Sequence, residues 1–117
     1  MLPKVIDPAE VRGLDIEPET PGKVVKRNLI GKEDAAPNFA MRLFELQLGG
    51  VTERHRHAWE HEVFIVEGAG QLLTDEGPKP FGAGSAVYVP PDAMHQFQNT
   101  GDAALKFICV IPNSGDG

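Results

Sequence analysis

The stretch RHRHAWEH, residues 54–61, contains three of the chain's four histidines, at positions 55, 57 and 61. Side chains of an extended strand alternate between two faces, so residues two or four apart share a face. His55, His57 and His61 would therefore point the same way if this stretch is extended. Imidazoles at positions i and i+2 can lean onto one ion, because their Cα atoms stand about 7 Å apart. The spacing indicates a metal site.

A chance cluster is the alternative, since an isolated His-x-His pair is often only a half-exposed strand. The apolar stretch EVFIV, residues 62–66, follows directly and indicates that this element enters the core. Burying three imidazoles there without a shared ligand would cost several kcal/mol in unpaired polar groups. A bound metal ion removes that cost, so the pattern favours a metal site.

The size and composition of the chain indicate one globular domain. It has 117 residues, of which 41% are hydrophobic and 24% charged. These fractions are typical of a folded protein that can bury a core. Cys109 is the single cysteine, which excludes an internal disulfide and fits a reducing compartment.

The formal net charge of −6 disfavours two classes of partner. Nucleic acids and anionic membrane surfaces both attract clustered lysine and arginine. No apolar run is long enough to cross a bilayer, and the first residues carry acids and prolines where a signal peptide would be apolar. We therefore expect a cytoplasmic protein that binds neither nucleic acid nor membrane.

The elements that must position the histidines are predicted to be strands. Pro8 after a capping Asp7 predicts one short helical turn at most. Glycine and proline separate short β-like segments, which we place at 23–30, 38–48, 61–66, 71–74, 85–89, 95–99 and 104–111. The stretches 67–70 and 75–80 are predicted to be turns. Strands at this spacing are typical of an all-β sandwich or barrel.

The domain organisation is predicted from the same pass along the chain. We expect an N-terminal arm over residues 1–22, a barrel over 23–112 and a flexible tail over 113–117. The arm is rich in proline and glutamate, and it packs either on the barrel or on a partner subunit. The sequence leaves that choice open.

Two gapped motifs resemble those of the cupin superfamily, whose members are small jelly-roll β-barrels. The first, G-x5-H-x-H-x3-4-E-x6-G, is matched in register by Gly49, His55, His57, His61 and Gly68. The second, G-x5-P-x-G-x2-H-x3-N, is matched by Gly84, Pro90, His95 and Asn99. The resemblance implies an all-β, single-domain jelly-roll barrel, also called a double-stranded β-helix.

The chain departs from the family pattern at two positions. Asp92 stands where the second motif usually has a turn glycine, and aspartate tolerates left-handed backbone better than most residues. His61 stands where the family usually has a glutamate ligand. The resemblance therefore implies a four-histidine metal set, His55, His57, His61 and His95. Glu62 is the alternative ligand if four residues rather than three follow His57 in the motif. Its parity would place it on the other face of the strand, and the number of residues from Glu62 to Gly68 no longer matches the motif.

A set of four neutral imidazoles would leave the charge of the ion uncompensated. Such a site should attract an anion into its open positions and raise the reduction potential of the metal. Imidazole suits several transition metals. Since similar cupins often carry manganese or iron, we expect one divalent transition metal per chain, Mn first, then Fe, Ni, Zn or Cu.

Five residues are candidates for the pocket beside the metal. Arg42 is an inward cation for a substrate carboxylate if its face of the strand lines the barrel, and a solvated charge if the other face does. Phe97 shares the parity of His95 and lines the pocket or simply packs in the core. Trp59 lies at the bend of the histidine segment, where it can rim the entrance.

The last predicted strand supplies the other two candidates. Phe107 and Cys109 share a face opposite Lys106, so both should point inward. Cys109 is interpreted as a small buried hydrophobe, or as an oxidation-prone thiol if the pocket reaches it. Asn99 is expected to fix the turn that follows it.

Two classes of function remain open at this point. The first is a metal-dependent oxidoreductase, a dioxygenase or an oxalate-decarboxylase-like enzyme acting on a small organic molecule. The second is a non-catalytic module that binds or senses a small molecule or a metal. An isomerase is less favoured, because cupins of that class generally use a histidine or tyrosine that is not a metal ligand as the catalytic base. Every histidine is already assigned here, and Tyr88 is the only tyrosine. Cupins of this size commonly form homodimers, and we expect one here.

Overall fold

Strands make up about half of the computed structural model, which describes residues 2–16 and 22–115. Nine strands occur in these residues: β1 (Leu14–Ile16), β2 (Val24–Ile30), β3 (Phe39–Leu46), β4 (His61–Glu67), β5 (Ala69–Thr74), β6 (Gly77–Gly82), β7 (Ala86–Val89), β8 (Gln96–Asn99) and β9 (Leu105–Pro112). Three single-turn 3-10 helices complete the described elements: Pro8–Glu10, Lys32–Asp34 and Asn113–Gly115. The expected all-β class is confirmed.

The strands form two antiparallel sheets. The larger has six strands in the order β1-β2-β3-β9-β4-β7, and the smaller has three in the order β6-β5-β8. Neighbours such as β3 and β9 are distant in sequence, as expected when a sheet is wound into a jelly roll. The inward faces of the two sheets enclose the core.

The alternation of side chains along β4 and β9 explains how the core forms. In β4, Val63 and Ile65 are buried, whereas Phe64 and Val66 are about half exposed. In β9, every second residue is buried: Leu105, Phe107, Cys109 and Ile111. The two strands pair so that their buried residues lie side by side, which removes apolar surface from water on one shared face.

The prediction of a turn over 75–80 was wrong. Only Asp75 and Glu76 form the turn, and residues 77–82 form strand β6, paired with β5. Two prolines, Pro78 and Pro80, hid this strand from the sequence pattern. A proline is tolerated there because β6 is the edge of its sheet, where one row of N–H groups has no strand to meet.

The predicted turn over 67–70 was also too long. Gly68 alone separates β4 from β5, and the chain changes sheet at that residue. Its φ is +88°, in the left-handed region, and a Cβ there would lie 2.6 Å from the carbonyl oxygen of Ala104. Both facts require glycine at this position.

Residues 2–16 of the predicted N-terminal arm pack on the chain's own barrel. The short strand β1 was not predicted, and it extends the larger sheet by pairing with β2. Lys4 forms an ion pair with Asp34 at 2.6 Å and donates to the carbonyl of Leu29. Residues 1 and 17–21 of the arm and 116–117 of the tail lie outside the described residues, so the predicted boundaries stay predictions. No helix among the described residues is long and apolar enough to cross a membrane.

Candidate metal centre

A reciprocal pair of backbone hydrogen bonds connects His55, in the first motif, with His95, in the second. The N–H of His55 donates to the carbonyl of His95 at 3.2 Å, and the N–H of His95 donates back at 3.0 Å. Thr52 strengthens this junction, because its hydroxyl accepts from the N–H of Phe97 at 2.9 Å. The two histidine side chains thereby come to lie together although 40 residues separate them in the chain.

The segment between His55 and His61 is not the continuous strand assumed from the sequence. Ala58 and Trp59 lie in a bend, and β4 begins only at His61. The carbonyl of His57 accepts from the N–H of Asp92 at 2.7 Å, which holds the bend against the second motif. Asp92 has a φ of 62°, the left-handed conformation expected from the glycine it replaces.

All four imidazole rings gather in one place. Five ring pairs have centroids 4.4–5.1 Å apart, and each histidine takes part in at least two of them. For His55, His57 and His95, one ligand nitrogen from each lies within 4.8 Å of the other two. The ring of His61 lies beside them, with its Nε2 3.2 Å from Nδ1 of His57. Glu62, the alternative ligand, is exposed on the other face of β4.

Neighbouring groups orient two of these rings. Nδ1 of His95 lies 2.9 Å from the carbonyl oxygen of Ala93, so it carries the proton and leaves the lone pair on Nε2. Nδ1 of His61 lies 3.1 Å from Sγ of Cys109. A hydrogen bond from one nitrogen of an imidazole is the usual means of presenting the other nitrogen to a metal.

Three histidines of this cluster, His57, His61 and His95, have pKa values below the usual range of an imidazole. Burial is the main cause, and it lowers the pKa of His61 to about 3 and that of His57 to about 4. Mutual repulsion among the rings lowers both pKa values further, and burial also lowers the pKa of His95. Neutral imidazoles with free lone pairs are the form that binds a metal, so the donor set fits a divalent transition metal.

These lowered pKa values predict that the metal-free protein loses stability in mild acid. The unfolded chain takes up protons below a histidine pKa of about 6.5, whereas the folded chain resists until about pH 3–4. The contribution of these neutral histidines to stability is therefore fully present above pH 6.5 and is lost as the pH drops toward 4. When the pH is lowered from 7.5 to 5.0 in EDTA, we expect His61 to reduce the free energy of unfolding by on the order of 1 kcal/mol. Urea unfolding at the two pH values measures this drop, and His61→Gln should reduce it; equal drops in both proteins would contradict the explanation.

A cavity of about 190 Å³ opens beside the histidines. Its lining includes all four histidines and the five predicted pocket residues, Arg42, Trp59, Phe97, Phe107 and Cys109. Both Arg42 and Cys109 are buried, and Nη2 of Arg42 lies 3.4 Å from Sγ of Cys109. Burial raises the pKa of the Cys109 thiol, so it is protonated at neutral pH.

Aromatic rings make up much of the cavity wall. Phe107 stacks between Phe44 and Phe97, with centroids 5.1 and 4.5 Å away. Trp59 stacks on the ring of His57 at 4.2 Å with an interplanar angle of 12°. The stack with Trp59 fixes the orientation of the His57 ring and covers one of its faces.

Other residues of the site have supporting roles, some of which the sequence did not reveal. Asn99 fixes its turn as expected, since its side chain donates to the carbonyls of Leu46, Gln47 and Ala103 and accepts from the N–H of Gly101. The roles of Thr52, Glu53 and Lys26 were missed. Thr52 and Glu53 lie inside the first motif, whereas Lys26 reaches the cavity from β2 with no local signal.

Fold and site together define a small β-barrel protein with a histidine centre suited to a metal ion. The Cupin domain family matches residues 42–111, which is more than half of the chain. The chain therefore belongs to the cupin superfamily, as its two motifs indicated, and the jelly-roll barrel is confirmed.

The comparisons with individual proteins agree with this membership. The chain is 30% identical over 112 residues to the oxalate-binding protein of Thermotoga maritima, covering 86% of this chain and 91% of that protein. It is 34% identical over 73 residues to 1-methylthio-D-xylulose 5-phosphate methylsulfurylase of Rhodospirillum rubrum, covering 61% of this chain and 46% of that enzyme. It spans half or less of the length of several curated relatives that it matches.

A solved structure shows the same fold along nearly the whole chain. The polyketide cyclase RemF from Streptomyces resistomycificus superposes with a TM-score of 0.85 and 30% identity, covering 96% of this chain and 80% of that one. The family and the histidine cluster support a metal-binding cupin.

Proposed function

We propose that His55, His57, His61 and His95 together hold one divalent transition metal ion, with manganese first and then iron, nickel, zinc or copper. The observation that carries this proposal is the convergence of four imidazole rings, from two distant segments, beside one cavity. Three of the ligand nitrogens already lie within mutual reach. The fourth ring needs only to present one nitrogen that now faces His57 or Cys109.

We further propose that the protein is an oxidoreductase for a small organic molecule. A bound transition metal would supply Lewis-acid and redox chemistry at the end of the cavity. The four imidazoles add no negative charge, so an anionic ligand entering the cavity would be attracted to the centre. The stacked aromatic rings exclude water from the same space, which strengthens that attraction.

A dioxygenase-type oxidation fits the cavity better than an oxalate-decarboxylase-like reaction. The latter needs a group that transfers a proton to the product. Among the lining residues that the structure describes, Glu53 is the only carboxylate, and its side chain is 67% exposed beside His55. The thiol of Cys109 is buried with a raised pKa and is a poor acid at neutral pH.

The alternative is a module that binds a small molecule without turning it over. The name of the Thermotoga maritima relative, an oxalate-binding protein, favours this alternative, since it refers to binding. The same cavity would then serve as a receptor or sensor site. Metal binding is common to both functions, and turnover is what separates them.

The experiment that tests the proposal is dioxygen uptake by protein loaded with one metal at a time. Metal-free protein is reconstituted with Mn²⁺, Fe²⁺ or Cu²⁺ and mixed with oxalate, small diketones, catechols and unsaturated acids. We expect uptake with at least one substrate, requiring the metal and abolished by chelation. Free metal and metal-free protein are the controls. Binding of a panel member without uptake under any metal would contradict the oxidoreductase and leave the binding module.

The homodimer and the cytoplasmic location stay predictions. Phe64, Val66 and Tyr88 are about half exposed on the outer faces of neighbouring strands β4 and β7, and β7 is an edge of the larger sheet. An apolar face beside a free edge supports pairing with a second copy. The molecular mass in solution, by light scattering, decides this point.

A further inference from the structure

We propose that the cavity is a carboxylate site in which Arg42 binds the anionic end of a compact, planar ligand. This inference rests on the proposed function only for the other end of the ligand, which would lie toward the histidine centre. The anion site itself requires no metal.

Arg42 is a buried cation with few partners. It is only 7% exposed, it lines the cavity, and its Nε has no hydrogen-bond partner among the residues that the structure describes. Its one hydrogen bond to a described group reaches Sγ of Cys109, a neutral thiol, at 3.4 Å. Within residues 2–16 and 22–115, no carboxylate lies in ion-pair distance of its guanidinium. A buried charge in this state is costly, and a ligand carboxylate would offset that cost through paired N–H bonds.

Among the described residues, lysines line the space around Arg42 although the chain as a whole is acidic. Lys26 lines the same cavity, and both residues also line an adjoining depression that includes Lys4 and Lys32. Asp34 in that depression is already paired with Lys4 at 2.6 Å. The route to Arg42 thus runs past lysines, which would draw an anion inward.

Acidic groups face this region from two sides. Glu53 lines the cavity beside His55, with a carboxylate oxygen 3.6 Å from Nδ1, and its side chain is mostly exposed. Glu33 lines the adjoining depression and is exposed. Both are in contact with solvent, so they screen Arg42 less than a buried carboxylate would.

The walls beside Arg42 select a flat ligand. The guanidinium carbon lies 5.3 Å from the ring centroid of Phe44, which stacks on Phe107 with an interplanar angle of 12°. Phe97 continues this aromatic surface on the other side of Phe107. A polyhydroxylated sugar phosphate would leave hydroxyls unpaired against these aromatic walls. An aromatic or unsaturated monocarboxylate satisfies both the charge and the surface.

Benzoate tests the proposal, with benzamide as its uncharged counterpart. Binding is followed by NMR chemical-shift titration of the metal-free protein in EDTA. We expect benzoate to bind more tightly than benzamide, and Arg42→Met to weaken benzoate binding by roughly tenfold or more. Arg42→Lys should retain part of the affinity. Arg56→Gln is the matched control: it removes one positive charge at an exposed position outside the cavity lining and should leave benzoate binding unchanged.

Three results would overturn the proposal: no benzoate binding, equal binding of benzoate and benzamide, or native benzoate affinity in Arg42→Met. If Arg42→Met does not fold, the comparison of benzoate with benzamide and the Arg42→Lys variant decide the matter. Titration of the native protein with Co²⁺ separates this outcome from the metal proposal. Arg42-dependent benzoate binding without Co²⁺ binding would leave the anion site intact and reject the metal centre.

Discussion

His95→Ala is expected to weaken the binding of a divalent transition metal by roughly a hundredfold or more. Loss of an outer-shell partner of a metal ligand typically costs about 10–100-fold in affinity, and removal of a ligand should cost at least as much. His95 is 2% exposed, its ring lies within 5.1 Å of the other three, and its Nδ1 is already engaged by Ala93. Competition with a chelating dye, using Co²⁺ or Mn²⁺, measures the change.

Gln98→Ala is the matched control for this variant. Gln98 lies on β8, three residues after His95. Its side chain forms hydrogen bonds with Gln71 and Gln96 on the face away from the histidines. Its replacement should leave metal affinity within a factor of about two, and circular dichroism should show that both variants fold. Native metal affinity in His95→Ala would reject the proposed centre. His61→Gln separates the two ligand sets: a loss comparable to that of His95→Ala supports four histidines, and unchanged affinity supports three.

Phe107→Ala is expected to destabilise the protein by about 3–5 kcal/mol. Phe107 is 1% exposed at the centre of the core, where it stacks between two other rings and also forms the floor of the cavity. Removing its ring deletes both stacks and leaves a void between the sheets. Urea unfolding in the presence of EDTA measures the loss without a contribution from bound metal.

Phe64→Ala provides the comparison for that loss, because Phe64 lies on neighbouring strand β4 but is 52% exposed on the outer face. We expect its replacement to cost less than about 1 kcal/mol in the monomer. Similar losses for the two variants would mean that the assignment of inner and outer faces of the larger sheet is incorrect.

The strands with a clean alternation of apolar and polar residues were predictable from the sequence. β4 and β9 follow this pattern, and their inner residues, including Cys109, are buried as expected. β3 was ambiguous because apolar residues occur on both of its faces, such as Leu46 on one and Leu43 on the other. Arg42 and Leu43 lie on opposite faces, and both are buried. Parity alone could not place Arg42, and its position depends on the pairing of β3 with β9, which the sequence does not specify.

The grouping of the histidines was also predictable, although the reason given for the first three was incomplete. The parity argument assumed an extended strand, whereas the segment bends at Ala58 and Trp59. What brings the rings together is the pairing of His55 with His95 and the hydrogen bond from Asp92 to His57, both of them long-range contacts. The family motifs anticipated that result because they encode the spacing of both segments. The strand β6 escaped notice because the effect of a proline depends on whether its strand lies at an edge.

The same face of strand β9 contributes to the core and lines the cavity. This limits how the ligand preference of such a barrel can diverge. Phe107 and Cys109 cannot be resized to admit a larger molecule without also loosening the packing between the sheets. Lys26 on β2 and Ile16 on β1 line the same cavity but are only partly buried. Changes in substrate preference should therefore accumulate on β1 and β2, while β9 stays under selection for folding.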